Sequence, residues 1–194
     1  MEHTPFVVRA RTVRLPGKLV MRVTPVPAVV GPELFDLIGR APLYILIGVV
    51  TSTVRGIPAV GLGAYVGQSA AHLTTRSRVR VSYRRWVDTL SVLRPSAVIT
   101  LSRRDGRSEM TESFRLFLEG ALIRYLRDQQ YWIVNIRAAA PRAARELERR
   151  EVLLGARIAA RVAVLVVRHG FGGATSPVLP STQREELVRI VRAS

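Results

Sequence analysis

The sequence predicts an α/β (α+β) protein: a small, mostly antiparallel three-stranded sheet flanked by helices, with an N-terminal β extension and a C-terminal helical tail. Three observations predict it. Short aliphatic and β-branched runs bounded by Gly and Pro recur through the first half. Helical spacing of apolar residues with capping signals dominates after residue 111. Apolar residues make up 48% of the 194 residues, enough to bury a core around such a sheet.

Taken in order, residues 1–40 read as an N-terminal extension. Residues 6–15 and 19–26 are β-branched runs around Pro16-Gly17, the signature of a hairpin. Gly31-Pro32 opens a short helical stretch to about Ile38.

Residues 41–138 read as the main unit. Residues 43–50 are a buried strand, 55–61 a Gly/Pro loop, and 62–67 a second strand. Ser69 caps a helix running to about Trp86, and residues 96–101 form the third strand. A polar turn surrounds Asp105-Gly106. Thr111 then caps the clearest helix, with Glu112 suiting its positive start and Phe114, Leu118, Ala121, Leu122 and Tyr125 forming one stripe. Residues 131–136 are a short extended segment.

Residues 139–194 read as a helical tail. Pro141 suits a first turn and Gly170 a stop, with Leu147, Leu154, Ile158, Val162 and Leu165 able to share a face. A Gly/Pro/Ser loop covers 171–180, and Thr182 with Glu185 forms a capping box for a last helix.

Charge and cysteine usage narrow the function. The formal net charge is +16, with 30 basic residues against 14 acidic ones, and all the basic residues but Lys18 are arginine. Arginine in place of lysine partly follows coding-genome composition. The excess of cations is the informative part, because it draws polyanions such as nucleic acid to the surface. The absence of cysteine excludes disulfides, thiolate metal sites and cysteine nucleophiles, and fits a cytoplasmic protein, nucleoid-associated if prokaryotic. No run of about 18 uncharged apolar residues exists, so no membrane partner is expected. Phosphate-loop, zinc-protease and serine-hydrolase motifs are absent, and His3, His72 and His169 form no metal cluster.

Candidate site residues follow one another along the main unit. Tyr44 and Tyr65 fall on neighbouring strands, where facing side chains sit together. Gly67 after Tyr65 would let a backbone or a phosphate approach closely. Glu119 falls at the edge of the apolar stripe of its helix, and its ordinary explanation is an ion pair with Arg115 four residues earlier. Arg76, Arg80 and Arg84 have helical spacing and form a cationic stripe, and Arg150, Arg157, Arg161 and Arg168 form a second. Either stripe is ordinarily a solvated helix face.

In this order Leu43-Tyr44, Tyr65-Val66-Gly67-Gln68-Ser69, Arg76, Glu119 and Asn135 resemble the conserved elements of the GIY-YIG nuclease family, over residues 41–138. The stretch from Thr111 through Glu119 to Ile123 resembles the family's glutamate helix. Pro42 stands where the first motif has glycine, Leu43 where it has isoleucine, and Arg76 comes one residue late, leaving Arg78 as an alternative.

The resemblance implies a metal-dependent DNA endonuclease. Glu119 would hold one Mg²⁺ or Mn²⁺, Arg76 would stabilise phosphate charge, Tyr44 more than Tyr65 would orient or deprotonate the water, and Asn135 would steady the glutamate or the metal's waters. Gly67, Gln68, Ser69, Arg78, Arg80 and Arg84 would bind the DNA backbone. The alternatives are a non-catalytic basic nucleic-acid-binding protein on the same fold and a basic assembly protein. The nuclease reading requires Tyr44, Tyr65, Arg76, Glu119 and Asn135 to converge in one concave basic patch, and it is to be dropped if Glu119 points to the side of the sheet away from both tyrosines.

Overall fold

The computed structural model describes residues 10–26, 38, 41–54, 57–68, 91–104, 110–129, 131–134 and 145–169, and among these the side chains of 52–54, 57–60 and 167–169 are not described. The predicted helices at 31–38 and after Ser69, and the capping box at Thr182, lie outside the described residues apart from Ile38.

The α+β class holds, but the sheet has six strands rather than three, in the order β1-β2-β5-β3-β4-β6. The strands are β1 (Arg11–Arg14), β2 (Leu19–Pro25), β3 (Leu43–Val54), β4 (Ile57–Gln68), β5 (Leu93–Arg103) and β6 (Trp132–Ile133). The difference arises at both edges. The N-terminal hairpin does not stand apart: β2 pairs antiparallel with β5 over its whole length, from Leu19↔Arg103 to Pro25↔Ala97. On the other side, β6 adds a short parallel pair to β4, Gly63↔Trp132 and Ala64↔Ile133.

The predicted loop at 55–61 is mostly strand. β3 and β4 pair continuously from Leu43↔Gln68 to Val54↔Ile57. Pro58 pairs with Thr53 of β3 and is tolerated because β6 meets β4 only at Gly63 and Ala64, so Pro58 has no outer strand neighbour among the described residues. Gly61, the one glycine of that predicted loop among the described residues, lies on a glycine-rich face of β4. Gly61, Gly63 and Gly67 share that face with Tyr65 by the two-residue period. A Cβ at Gly63 would overlap the Val50 side chain, so β3 residues lie over a glycine-lined strip of β4. Between β3 and β5 the register slips at Ile47/Gly48, where Ala97 is followed by Pro95 in the pairing and the skipped Ser96 gives its carbonyl to the Val26 amide at 3.0 Å. A Cβ on Gly48 would collide there with the Arg94 carbonyl.

Helix α1 (Glu112–Asp128) begins where the sequence places it, with the Thr111 hydroxyl accepting from the Phe114 amide at 3.3 Å. Its buried set is Phe114, Leu118, Leu122, Ile123 and Leu126; Ala121 and Tyr125 are only partly buried. Helix α2 (Arg149–His169) starts later than Pro141 suggests. The Glu151 carboxylate accepts the Glu148 amide at 3.0 Å and fixes that start, as a capping box does. Gly155 lets α2 approach α1 closely, since a Cβ there would press on the Phe117 ring.

The sheet separates two apolar clusters. On one face Leu43, Ile45, Ile47, Ala64, Val66, Ile99 and Leu101 pack under α1 and α2, together with Met21 and Val23 of β2. Thus the N-terminal hairpin and the tail helix share the core of the central unit. On the opposite face Tyr44, Leu46, Val50, Leu93 and Val98 pack with Ile38, and Tyr65, Trp132 and Val134 lie against them.

Candidate functional site

Alternation along β3 and β4 sends Tyr44 and Tyr65 to the face away from the helices. Their ring centroids are 6.2 Å apart with the planes inclined at 34°, as two neighbouring strand tyrosines should be. Tyr44 is directly opposite Gly67. Its ring lies across that glycine, so closely that a Cβ at 67 would meet Tyr44 Cζ and Oη. The space predicted to admit a backbone or a phosphate is therefore filled by the Tyr44 ring. Gly67 carries the phenol out over β4, toward the strand end.

Gln68 follows on the opposite face, in phase with Ala64 and Val66, and reaches α1. Its Nε2 donates to Glu119 Oε2 at 2.6 Å. Burial pushes the Glu119 carboxyl above the ordinary glutamate value, and the Gln68 hydrogen bond draws it back by less. The expected ion pair with Arg115 is not made: among the described residues Glu119 bonds to Gln68, and Arg115 Nε is buried without a partner. Thus Gln68, which the resemblance assigned to the DNA backbone, is the residue that positions the carboxylate. Only the alternation of faces in β4 could have signalled this.

The predicted constellation is only partly assembled. Tyr44, Tyr65 and Gly67 lie together on one face, while Glu119 belongs to the helix-covered face with Gln68. A cluster confined to one face is ruled out for these residues. They meet only around the edge of the sheet, at the end of β4. There Gly67, under the Tyr44 hydroxyl, and Gln68, on the Glu119 carboxylate, are consecutive residues. Above the Gly63 and Ala64 pairs with β6, β4 has no outer neighbour among the described residues, apart from the Val134 amide on the Ala64 carbonyl. Among the described residues, the end of β4 is therefore an edge that borders both faces. Ser69, Arg76, Arg78, Arg80, Arg84 and Asn135 lie outside the described residues.

No group of three or more His, Cys, Asp or Glu side chains among the described residues could hold a metal ion. A closed protein cage is thus excluded there. Glu119 fits the other arrangement, a cation held by one carboxylate with water and phosphate completing its shell. Its second oxygen is not engaged by Gln68, and a cation would offset the burial that now disfavours its charge. At the far end of α1, burial raises the Tyr131 phenol well above the usual tyrosine value, so that group does not ionise near neutrality.

In the second cationic stripe, Arg150, Arg157 and Arg161 are exposed along α2, with exposed Leu153 between the first two and exposed Val164 after the last. No helix of the described residues is long and apolar enough to cross a membrane. Comparison with family models, curated proteins and solved structures finds no match to this chain.

Proposed function

We propose that the chain is a non-catalytic nucleic-acid-binding protein on this α+β fold. The observation that carries this reading is the placement of Glu119 with Gln68 on the helix-covered face and of Tyr44 and Tyr65 on the other, so that carboxylate and phenols do not share one face. Tyr44 is also buried. The net charge of +16 supplies the attraction to a polyanion.

A second reading, a metal-dependent DNA nuclease, keeps one observation: Tyr44 over Gly67 and the Gln68-bound Glu119 flank the same end of β4. In that reading a water adds to phosphorus and gives up a proton, the bond to the 3′-oxygen breaks, and that oxygen takes up a proton. Glu119 would hold one Mg²⁺ or Mn²⁺, which would supply Lewis acidity to the phosphate and the leaving oxygen. Tyr44 would orient the water, and Arg76 and Asn135 would keep the roles that the resemblance to the GIY-YIG family implies. The test is DNA binding together with plasmid nicking in Mg²⁺ or Mn²⁺, wild type against Glu119→Ala. Binding of DNA without metal-dependent nicking is the expected result. Nicking by wild type that Glu119→Ala loses, with its fold intact by circular dichroism, would refute the non-catalytic reading and select the nuclease.

A further inference from the structure

The row of residues that contains Tyr44 continues across the sheet. Gly67 pairs with Tyr44, Tyr44 with Thr100, Thr100 with Arg22, and Arg22 with Thr12. Residues directly opposite in antiparallel strands share a face. All five positions therefore lie on the face away from the helices, over four strand spacings or about 19 Å. Arg14 joins them, two residues along β1 from Thr12, as does Ser102, which shares its row through Val20. Arg14 and Arg22 are diagonal neighbours, about 7–8 Å apart.

At its outer end this row is open. Thr12, Arg14 and Arg22 are exposed, as are Lys18 in the turn and Arg104, whose amide bonds to the Lys18 carbonyl at 2.8 Å. None of these four cations has an ion-pair partner among the described residues. No acidic residue occurs in any of the six strands or in residues 10–26. Among the described residues the surface is therefore cationic without internal compensation, and hydroxyls accompany the charges.

We infer that the outer face of the β1–β2 hairpin, through Arg14 and Arg22, is a docking surface for the phosphate backbone of duplex DNA. It leads along the register row toward Tyr44, about two strand spacings or 10 Å from Arg22. The surface deepens the proposed nucleic-acid-binding reading and rests on it; only the approach toward Tyr44 belongs to the nuclease alternative. Duplex rather than single-stranded DNA is the occupant because the exposed hairpin residues include no aromatic side chain on which unpaired bases would stack. Guanidinium and hydroxyl groups suit phosphate oxygens. The competing basic surface, the outer face of α2, fits less well. Leu153 and Val164, 56% and 44% exposed, interrupt its arginines, and Arg150 is already paired with Glu148 at 2.6 Å.

The experiment is fluorescence anisotropy with a short blunt DNA duplex in EDTA, where hydrolysis cannot occur, over a salt titration. Wild type is compared with Arg14→Gln/Arg22→Gln and with Arg150→Gln/Arg157→Gln. Two lost phosphate contacts make the slope of log affinity on log salt shallower by about 1.8, and weaken binding near 0.1 M salt on the order of 50-fold. The α2 variant is expected to bind within a fewfold of wild type. Circular dichroism melts of each variant are the control that the exposed substitutions leave the fold intact. The inference is overturned if wild type does not bind, if the hairpin variant binds like wild type, if the α2 variant alone loses binding, or if a single strand of equal length binds more tightly. Failure of the binding reading is separate: it appears as no DNA binding by wild type, whereas failure of this surface alone leaves wild-type binding that the hairpin substitutions do not weaken.

Discussion

Replacing Gly67 by alanine tests the packing that carries the tyrosine to the strand end. The added methyl would sit inside van der Waals contact with Tyr44 Cζ, Oη and Cε2. The ring cannot simply swing away, because Tyr44 is 3% exposed and packed among Leu46, Val50, Leu93, Val98 and Ile38. Overpacking of this kind costs about 1–3 kcal/mol. Gly67 lies in β4 and its φ is not positive, so alanine adopts its backbone without strain and recovers about 0.4–1 kcal/mol by restricting the unfolded chain. The net expectation is a loss of about 1–2 kcal/mol. For a chain of this size that is roughly 3–6 °C in Tm. Urea unfolding followed by circular dichroism measures it. The same substitution in a Tyr44→Ala background is the second leg, because the ring is then gone and the methyl has room. There Gly67→Ala should be neutral or stabilising by up to about 1 kcal/mol. An unchanged or raised midpoint in the single variant would refute the steric argument. So would an equal loss in both backgrounds, which would point to the backbone instead of the ring.

Glu119→Gln tests the buried carboxylate. The folded-state value of Glu119 is raised, so the fold binds the proton more tightly than the unfolded chain does, and stability falls as pH rises from the ordinary glutamate range through the folded value. The variant should therefore be more stable than wild type at neutral pH, with the advantage vanishing below the ordinary value. An advantage independent of pH in urea titrations would contradict this origin. Lys18 has φ 59° beside Gly17 at φ 67°, a left-handed conformation that costs a non-glycine residue about 1–2 kcal/mol. Lys18→Gly should raise stability by about 0.5–1 kcal/mol after glycine's own entropy loss, and a lowered urea midpoint would show that the lysine side chain contributes more than its backbone costs.

The legibility of the fold differs by element for physical reasons. Helix α1 was readable because a cap, an acidic first turn and the apolar stripe are all local, and Thr111 fills the role assigned to it. Its stripe was displaced slightly, with Ile123 and Leu126 buried more fully than Ala121 and Tyr125, because α2 as well as the sheet packs on it. The stretch 57–61 was read as loop because glycine and proline ordinarily interrupt strands. Here Pro58 pairs with Thr53 and meets no outer strand among the described residues, and Gly61 pairs with Val50, facts that depend on the register with β3. Among the site residues, the pairing of Tyr44 with Tyr65 was legible from neighbouring strands. The partner of Glu119 was not, since a helix wheel offers Arg115 and only the packing of α1 on the sheet brings in Gln68.

Sequence alone therefore determined the class, the central β3–β4–β5 strands, the capped helix α1, the excess of cations and the order of Tyr44, Tyr65 and Glu119, because each depends on composition or on a short periodic segment. Tertiary structure decided that the N-terminal hairpin extends the sheet and that Tyr44 and Glu119 approach one strand end from opposite faces. It also decided that Arg22 falls in register with Tyr44. Each of these rests on strand register, where a slip of one residue exchanges the two faces of the sheet, and no local pattern in the chain specifies which distant strand supplies the partner.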